Sequence, residues 1–276
     1  MLDDLTTSSF VLGLRNIIAL RGNVKTIRCD RGTNFVGAAK ELKRALSEME
    51  ESEIQRLLLE NACEFHFNPA CASHMGGVWE RQIRSARNIL NGLLVKGKER
   101  LTSSSLRTLF YETSAIINGR PYSDAAADSK DLECPLTPNH LLTLKSVPIL
   151  PPPGDFSEGT EFTGSQWKVV QRYVQQFWRR WKTEYLSSLN KRPKWTKDYR
   201  NLRKGDVVII HDENISRNLW KLGLVEESVL SSDGKVRSVV LRQAPACDKR
   251  GVAKHQAQLI TRPIHKLSLL VPNDIE

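Results

Sequence analysis

The sequence has few of the features that mark membrane, secreted or zinc-binding proteins. None of its apolar runs reaches the roughly 18 residues that a membrane helix needs. Residues 1–10 lack the basic and apolar regions of a signal peptide. The five cysteines are scattered without a Cys-x-x-Cys pair, and no two histidines have the spacing of zinc ligands. We therefore expect an intracellular protein with reduced thiols, no zinc and no membrane association.

The positive charge is confined to the second part of the chain. The formal net charge of the 276 residues is +10. Residues 1–165 carry 19 Lys and Arg against 20 Asp and Glu, whereas residues 166–276 carry 22 against 11. Such a concentrated basic region indicates an anionic partner, most often nucleic acid. A generic solvated basic surface is the alternative interpretation.

The first part of the chain is typical of an α/β protein, and the second part becomes mostly β. Periodicity and capping residues predict, in order, a helix capped by Thr7 or Ser8 and ended by Gly22, a strand 24–29, helices 35–47 and 51–61, a strand 64–67, and helices 78–96 and 102–118. Prolines and glycines predict a linker over 145–165. A helix over 166–190 precedes β-patterned runs at 206–211, 220–230, 235–242 and 264–271, which indicate a small barrel.

Two carboxylates stand out by their positions. Asp30 ends a predicted strand, and Glu80 lies in the first turn of a long predicted helix. Carboxylates from different elements are suitable ligands for the magnesium ions that assist phosphoryl transfer on DNA. Arg84 and Arg87 share a helix stripe with Glu80, where phosphates would lie. An ordinary Glu–Arg pair one helical turn apart explains the same spacing, and spacing alone favours that explanation.

A resemblance changes this balance. The segments CDRGTNFVGAAKEL, EFHF and NPACASHMGGVWERQIRSARNIL resemble the core of retroviral and retrotransposon integrases, in particular the Pao/BEL group. The later segments QQFWRRWKTEYLSSLNKRPKW, NLRKGDVVIIHDEN and RPIHKLSLL resemble the tail that follows this core. The resemblance implies an α/β and then mostly β fold: a truncated ribonuclease H-like core, a C-terminal helix and a small SH3-like β-barrel.

The same resemblance implies the roles of individual residues. Integrases carry an Asp-Asp-Glu triad that holds Mg²⁺ or Mn²⁺, and Asp30 and Glu80 fall on its second aspartate and its glutamate. These two residues are therefore the implied catalytic and metal-binding residues. Asn34 falls on the asparagine after the turn, and Arg84 and Arg87 fall on positions that face DNA. The first aspartate belongs on an upstream strand that we do not find, so we expect weak metal binding and little catalysis.

Four segments follow from these patterns. We predict an integrase catalytic core lacking its first strands over 1–144, a linker over 145–165, a basic aromatic helix over 166–200 and an SH3-like barrel over 201–276. In the aromatic helix, one stripe is predicted to be core rather than a platform for stacking bases: Val170, Val174, Phe177, Trp181 and Tyr185.

DNA contacts are expected from basic residues in and after this helix, and the strongest from the run of Lys and Arg over 191–204. The predicted contacts are Arg179, Arg180, Lys191, Arg192, Lys194 and Lys197, with Lys182 beside them. A solvated linker is the alternative for the run that begins at Lys191.

These patterns predict a fragment of a retroelement integrase. It would bind DNA in the nucleus and, in the intact parent, transfer DNA strands during integration, as a homo-oligomer by resemblance. The alternatives are a noncatalytic nucleic-acid-binding protein and a decayed remnant of a retrotransposon.

Overall fold

A computed structural model describes residues 4, 6–29, 32–47, 64–68, 77–97, 99–121, 136–144, 150–154, 156, 165–189, 200–243 and 258–273. The chain forms two compact units, Met1–Ile83 and Arg84–Glu276. The two units are defined by their compactness alone. The four segments that the sequence predicts stay a prediction. The helix and linker predicted over 51–61 and 145–165 lie wholly or largely outside the described residues. Among the described helices, none is both long and apolar enough to cross a membrane.

The first unit is an α/β arrangement, as predicted. It contains α1 (Thr7–Arg21), β1 (Thr26–Cys29), α2 (Thr33–Ser47) and β2 (Glu64–Phe67). The two strands pair in parallel. Rings from three elements meet, with Phe10 of α1 4.9 Å from Phe35 of α2 and 6.4 Å from Phe65 of β2. These contacts place both helices against the strand pair. The exposed side chain of His66 lies 3.2 Å from the Glu64 carboxylate.

The first helix begins earlier than the sequence suggested. Its N-cap is Thr6, whose hydroxyl accepts a hydrogen bond from the Ser9 amide at 3.2 Å, so the predicted cap at Thr7 or Ser8 is wrong. The Asp4 carboxylate accepts from the Thr6 amide at 2.9 Å and from its hydroxyl at 2.6 Å. Hydrogen bonds from Ser9 and Thr6 lower the pKa of Asp4 to about 2. Asp4 therefore helps to stabilise the N-terminus of α1 by fixing its N-cap residue.

The second unit contains most of the helical and all of the antiparallel structure described. The long helix α3 (Gly77–Lys96) begins in the first unit and continues into the second. The remaining elements are α4 (Ser103–Asn118), α5 (Pro138–Thr143), α6 (Gln166–Leu189), β3 (Val207–Ile210), β4 (Lys221–Leu230), β5 (Val236–Gln243), β6 (Gln258–Pro263) and β7 (Leu267–Val271). A 3₁₀ turn over Ile264–Lys266 joins the last two strands.

The five strands form one antiparallel sheet in the order β6-β5-β4-β3-β7. Within the described residues its two edge strands do not pair, so the sheet is not closed into the predicted barrel. The sequence prediction also missed β6, and it extended β7 over the 3₁₀ turn. What the structure confirms is a mixed α/β chain with helices and a five-stranded antiparallel sheet.

Helix α6 lies at the centre of the second unit. Its predicted apolar stripe is buried throughout, from Val170 to Tyr185, which confirms that the stripe is core. The stripe packs with Leu109 and Ile116 of α4 and with Leu90 and Leu93 of α3. Ile209 of β3 and Leu222 of β4 join the same cluster, so one core is shared by helices and sheet. A second cluster, which includes Val208, Val239 and Leu241, is formed by the strands of the sheet.

Aromatic side chains fix the angle at which the sheet meets α6. Trp220, just before β4, lies edge-on to Trp178, Trp181 and Tyr185 at 5.2–6.1 Å between ring centroids. Its indole nitrogen donates to the Gly119 carbonyl at 3.0 Å, and the Tyr185 hydroxyl donates to the carbonyl of Pro121 at 2.9 Å. The polar ends of both rings are therefore satisfied by the chain at the end of α4.

A buried ion pair links the same elements. Arg217, on the connection from β3 to β4, is 3 % exposed and lies 3.1 Å from the Glu112 carboxylate of α4. It also donates to the Gln171 side chain of α6 at 3.0 Å. Burial lowers the pKa of Arg217, and the charge of Glu112 opposes that effect. Removal of the carboxylate would leave a guanidinium inside the protein without its counter-charge.

We therefore predict that Glu112→Ala lowers the free energy of unfolding by about 3 kcal/mol, the lower end of the range for a broken buried pair, because Glu112 is partly exposed. Urea denaturation followed by tryptophan fluorescence measures the change. Glu227→Ala on the exposed side of β4 is the matched control and should shift it by less than about 0.5 kcal/mol. Equal effects of the two substitutions would contradict a structural role for the pair.

Candidate nucleic-acid interface

The predicted catalytic residues fall in the first unit, and the structure describes only some of their surroundings. Asp30 follows the last residue of β1 and lies outside the described residues. Asn34 is half-buried in the first turn of α2, where the Gly32 carbonyl accepts from the amides of Phe35 and Val36 at 3.1 and 3.0 Å. In the sequence both residues follow the carboxyl end of β1, and parallel sheets place ligands at that end of their strands.

Glu80 is exposed in the first turn of α3, as predicted. Arg84 and Arg87 are also exposed farther along this helix. Across the part of the chain that the structure describes, no three His, Cys, Asp or Glu side chains form a group that could hold a metal ion. Of the two predicted ligands only Glu80 is described, so the metal site stays a prediction.

Of the six DNA contacts predicted in and after the aromatic helix, two lie on α6, and the other four are not described. Arg179 and Arg180 are exposed beside the buried stripe. Arg180 reaches helix α3, because a Cβ placed on Gly92 would lie 3.3 Å from its Nη1. Lys191, Arg192, Lys194 and Lys197 lie outside the described residues. The arginines on α6 are thus held by a rigid helix whose other side is core.

A cluster of basic side chains surrounds the place where α6 meets the sheet. We call it the junction patch, and it consists of Arg179, Lys182, His211, Lys221, His265 and Lys266. Four separate stretches of chain supply these residues: α6, the end of β3, the start of β4 and the 3₁₀ turn. The His211 amide donates to the Lys266 carbonyl at 2.8 Å, which holds the end of β3 beside the 3₁₀ turn. Antiparallel pairing of β3 with both β4 and β7 brings the remaining parts together.

His211 is the half-buried member of the junction patch. Its Nε2 lies 2.8 Å from the Ser268 hydroxyl, which in turn lies 3.4 Å from the Leu186 carbonyl of α6. In the tautomer that carries the proton on Nε2, His211 donates to the Ser268 hydroxyl, and that hydroxyl donates to the Leu186 carbonyl. Burial lowers the pKa of His211 from its ordinary value of 6.5, and the nearby charges of Lys266, Lys182 and His265 lower it further.

The lysines of the junction patch have partners that neutralise it only in part. Lys182 donates to the Asp212 carbonyl at 3.0 Å and lies 5.8 Å from the centre of the Trp178 ring. Burial lowers the pKa of Lys182 despite the nearby carboxylates of Asp212 and Glu213. Lys221 forms an ion pair with the side chain of Asp212, and this hydrogen bond lowers the pKa of that carboxyl group.

The junction patch keeps an excess of positive charge. Lys266 lies 3.7 Å from Glu213, and both of these side chains are at least half exposed. Four permanent cations therefore face two carboxylates, before any contribution from the two histidines. The sequence prediction included Arg179 and Lys182 but missed the four members from the sheet. Those four are far from α6 in sequence, and only the strand register brings them to it.

Comparison with known families covers this same region. A family model described as a family of unknown function, DUF5641, matches residues 165–270. The match runs from the residue before α6 into β7, so it includes the helix, the sheet and the whole junction patch. No curated protein matches the chain.

The position of His211 generates a prediction about acid stability. Its pKa is lowered on folding, so the unfolded chain binds a proton more readily than the folded chain below the ordinary value of 6.5. The contribution of neutral His211 is complete above that value and is lost as the pH falls toward the folded pKa. The thermal unfolding midpoint should therefore be lower at about pH 5.5 than at about pH 7.5. This decrease should be smaller in His211→Gln. A glutamine amide retains a donor for Ser268 but carries no proton to gain.

The exposed His66 of the first unit provides the control for this measurement. His66→Gln removes a histidine beside Glu64 without changing the junction patch. We expect it to keep the acid sensitivity of the wild-type chain. Equal acid sensitivity of the wild type and His211→Gln would show that the His211 site does not titrate on unfolding.

Proposed function

We propose that this chain binds nucleic acid through the junction patch, as part of a protein related to retroelement integrases. The observation that supports this proposal is the excess of cations at the meeting point of α6, β3 and the 3₁₀ turn. Phosphate groups of a nucleic acid backbone are recognised by such Lys and Arg side chains, with release of condensed counterions. The net charge of +11 in residues 166–276 is consistent with this partner.

The junction patch is suited to a repeating anion because its cations stand on rigid elements. Arg179 and Lys182 project from a helix that is buried along its opposite side. Lys266 belongs to a short turn held by the His211 amide. Binding then requires little ordering of side chains and no ordering of a loop. The entropic cost of binding is therefore small, which favours affinity. The aromatic rings of α6 nearest to these cations, Trp178, Trp181 and Tyr185, are buried in the core, and the exposed Trp167 lies at the other end of the helix. We therefore propose backbone contacts that tolerate different sequences.

The fold is compatible with the relationship to retroelement integrases that the sequence motifs indicate. A meander of four strands, followed by a 3₁₀ turn and a last strand that returns to the first, is compatible with an SH3-like domain. Parallel strands β1 and β2 with helices around them are compatible with part of a ribonuclease H-like core. We propose both assignments on these grounds, together with the integrase-like motifs of the sequence.

Metal-dependent strand transfer remains a proposal that rests on the motifs around Asp30 and Glu80. In a form of the protein that transfers DNA strands with Mg²⁺, Glu80→Gln should abolish the transfer, because an amide replaces a charged metal ligand. A strand-transfer assay on a labelled DNA end measures this. Glu64→Gln on β2 removes a second exposed carboxylate of the same unit and is the control. Activity that survives Glu80→Gln would rule out the proposed role of Glu80.

For DNA binding, the double substitution Arg179→Gln with Lys266→Gln should weaken binding to a duplex about tenfold in moderate salt. The slope of log affinity against log salt should become less steep by about 2, because two phosphate contacts are lost. Fluorescence anisotropy of a labelled duplex at several salt concentrations measures both quantities. The proposal predicts that the identity of the bases has little influence on the result.

A matched control removes the same charge elsewhere in the second unit. Arg107→Gln with Arg237→Gln replaces one exposed arginine of α4 and one of β5, both outside the junction patch. We expect a markedly smaller loss of affinity for this control. An equal loss in both double variants would mean that the whole surface attracts DNA and that the junction patch is no specific site.

A further inference from the structure

We infer that the junction patch takes up a proton when it binds a nucleic acid phosphate, with His211 and His265 as the groups that receive it. This inference rests on the proposed nucleic-acid binding and adds its regulation by pH. It predicts that the chain binds nucleic acid more tightly as the pH falls from about 8 to about 6.

The geometry sets His211 between the cations and the interior. Its imidazole is tied through Ser268 to the Leu186 carbonyl, so Nε2 is fixed toward β7 and the end of α6. Its backbone amide is fixed to Lys266, the residue after His265. Any anion that contacts Lys182 and Lys266 therefore approaches the surroundings of this half-buried imidazole. His265 stands exposed on the same 3₁₀ turn.

The charged groups around His211 come from every element that packs there. Helix α6 contributes Arg179 and Lys182, and the 3₁₀ turn contributes His265 and Lys266. Two further contributions complete the set: the carboxylates of Asp212 and Glu213 after β3, and Lys221 at the start of β4. Cations dominate this set, and they disfavour a further positive charge on the His211 imidazole in the unbound chain.

A bound phosphate reverses this balance. Its negative charge offsets the neighbouring cations, so the protonated form of each imidazole becomes more favourable than in the unbound chain. By linkage, a ligand that raises the pKa of a group binds more tightly when that group is protonated. A change of one pKa unit on binding corresponds to up to about tenfold in affinity for each histidine involved. In the tautomer in which Nε2 donates to Ser268, protonation at Nδ1 leaves that hydrogen bond intact.

Affinity of the full chain for a labelled DNA duplex at pH 6 and pH 8, in the same salt, tests the inference. The wild type should bind about three- to tenfold more tightly at pH 6. The double variant His211→Gln with His265→Gln should lose most of this ratio. The ratio of the two affinities is the readout, so a uniform change in affinity from the substitutions cancels. Thermal unfolding at both pH values verifies that the variant is folded.

The control and the outcomes separate this inference from the proposed function. His66→Gln should keep the wild-type ratio, because His66 belongs to the first unit. A duplex bound at both pH values with the same affinity, or a ratio unchanged in the double histidine variant, would overturn proton uptake while leaving nucleic-acid binding in place. A chain that binds no duplex at either pH would overturn the proposed function and, with it, this inference. Proton nuclear magnetic resonance of the histidines would show the same effect directly, as a pKa raised by the duplex.

Discussion

The burial of α6 on two sides is the constraint on which the second unit depends. Its aromatic stripe packs against α3 and α4 on one side and against β3 and β4 on the other. Large aromatic side chains supply most of the buried area in such a contact, and the Trp220 and Tyr185 hydrogen bonds fix its orientation. The Arg217–Glu112 pair adds specificity rather than much stability, since desolvation offsets the attraction of buried charges. A sheet that shares its core with a helix in this way cannot rotate independently of it.

The junction patch follows from this packing. Because the apolar stripe of α6 is buried in the core, Arg179 and Lys182 project from the part of the helix that the core leaves uncovered. The register of β3 with β7 then sets the 3₁₀ turn beside them. The position of the cations is therefore determined by apolar packing and strand pairing, and their own charges would separate them. This is why we regard the junction patch as preorganised for an anion.

Sequence patterns predicted the elements whose side chains repeat with a clear period. The stripe from Val170 to Tyr185 has helical spacing, and it was correctly assigned to the core. Strand β6 was missed because it lies almost entirely exposed at a sheet edge and so has no alternation of buried and exposed residues. The N-cap at Thr6 was missed because Asp4, outside the helix, helps to fix it. Lys221, His265 and Lys266 could not be assigned to a site, since only the strand register joins them to α6. The proposed metal ligands rest on motifs alone.

The two carboxylates beside the junction patch, Asp212 and Glu213, are compatible with anion binding by the patch. Without Asp212 and Glu213 the cations would repel one another in the unbound chain, and the turn that carries Lys266 would be less stable. Their ion pairs with Lys221 and Lys266 are substantially exposed to solvent, and such pairs contribute little to stability. Exchange of these weak pairs for a phosphate therefore costs little, whereas removal of Glu112 would leave the buried charge of Arg217 without its counter-charge. The protein thus has its buried ion pair where it orients the core and its exposed ion pairs where a ligand can replace them.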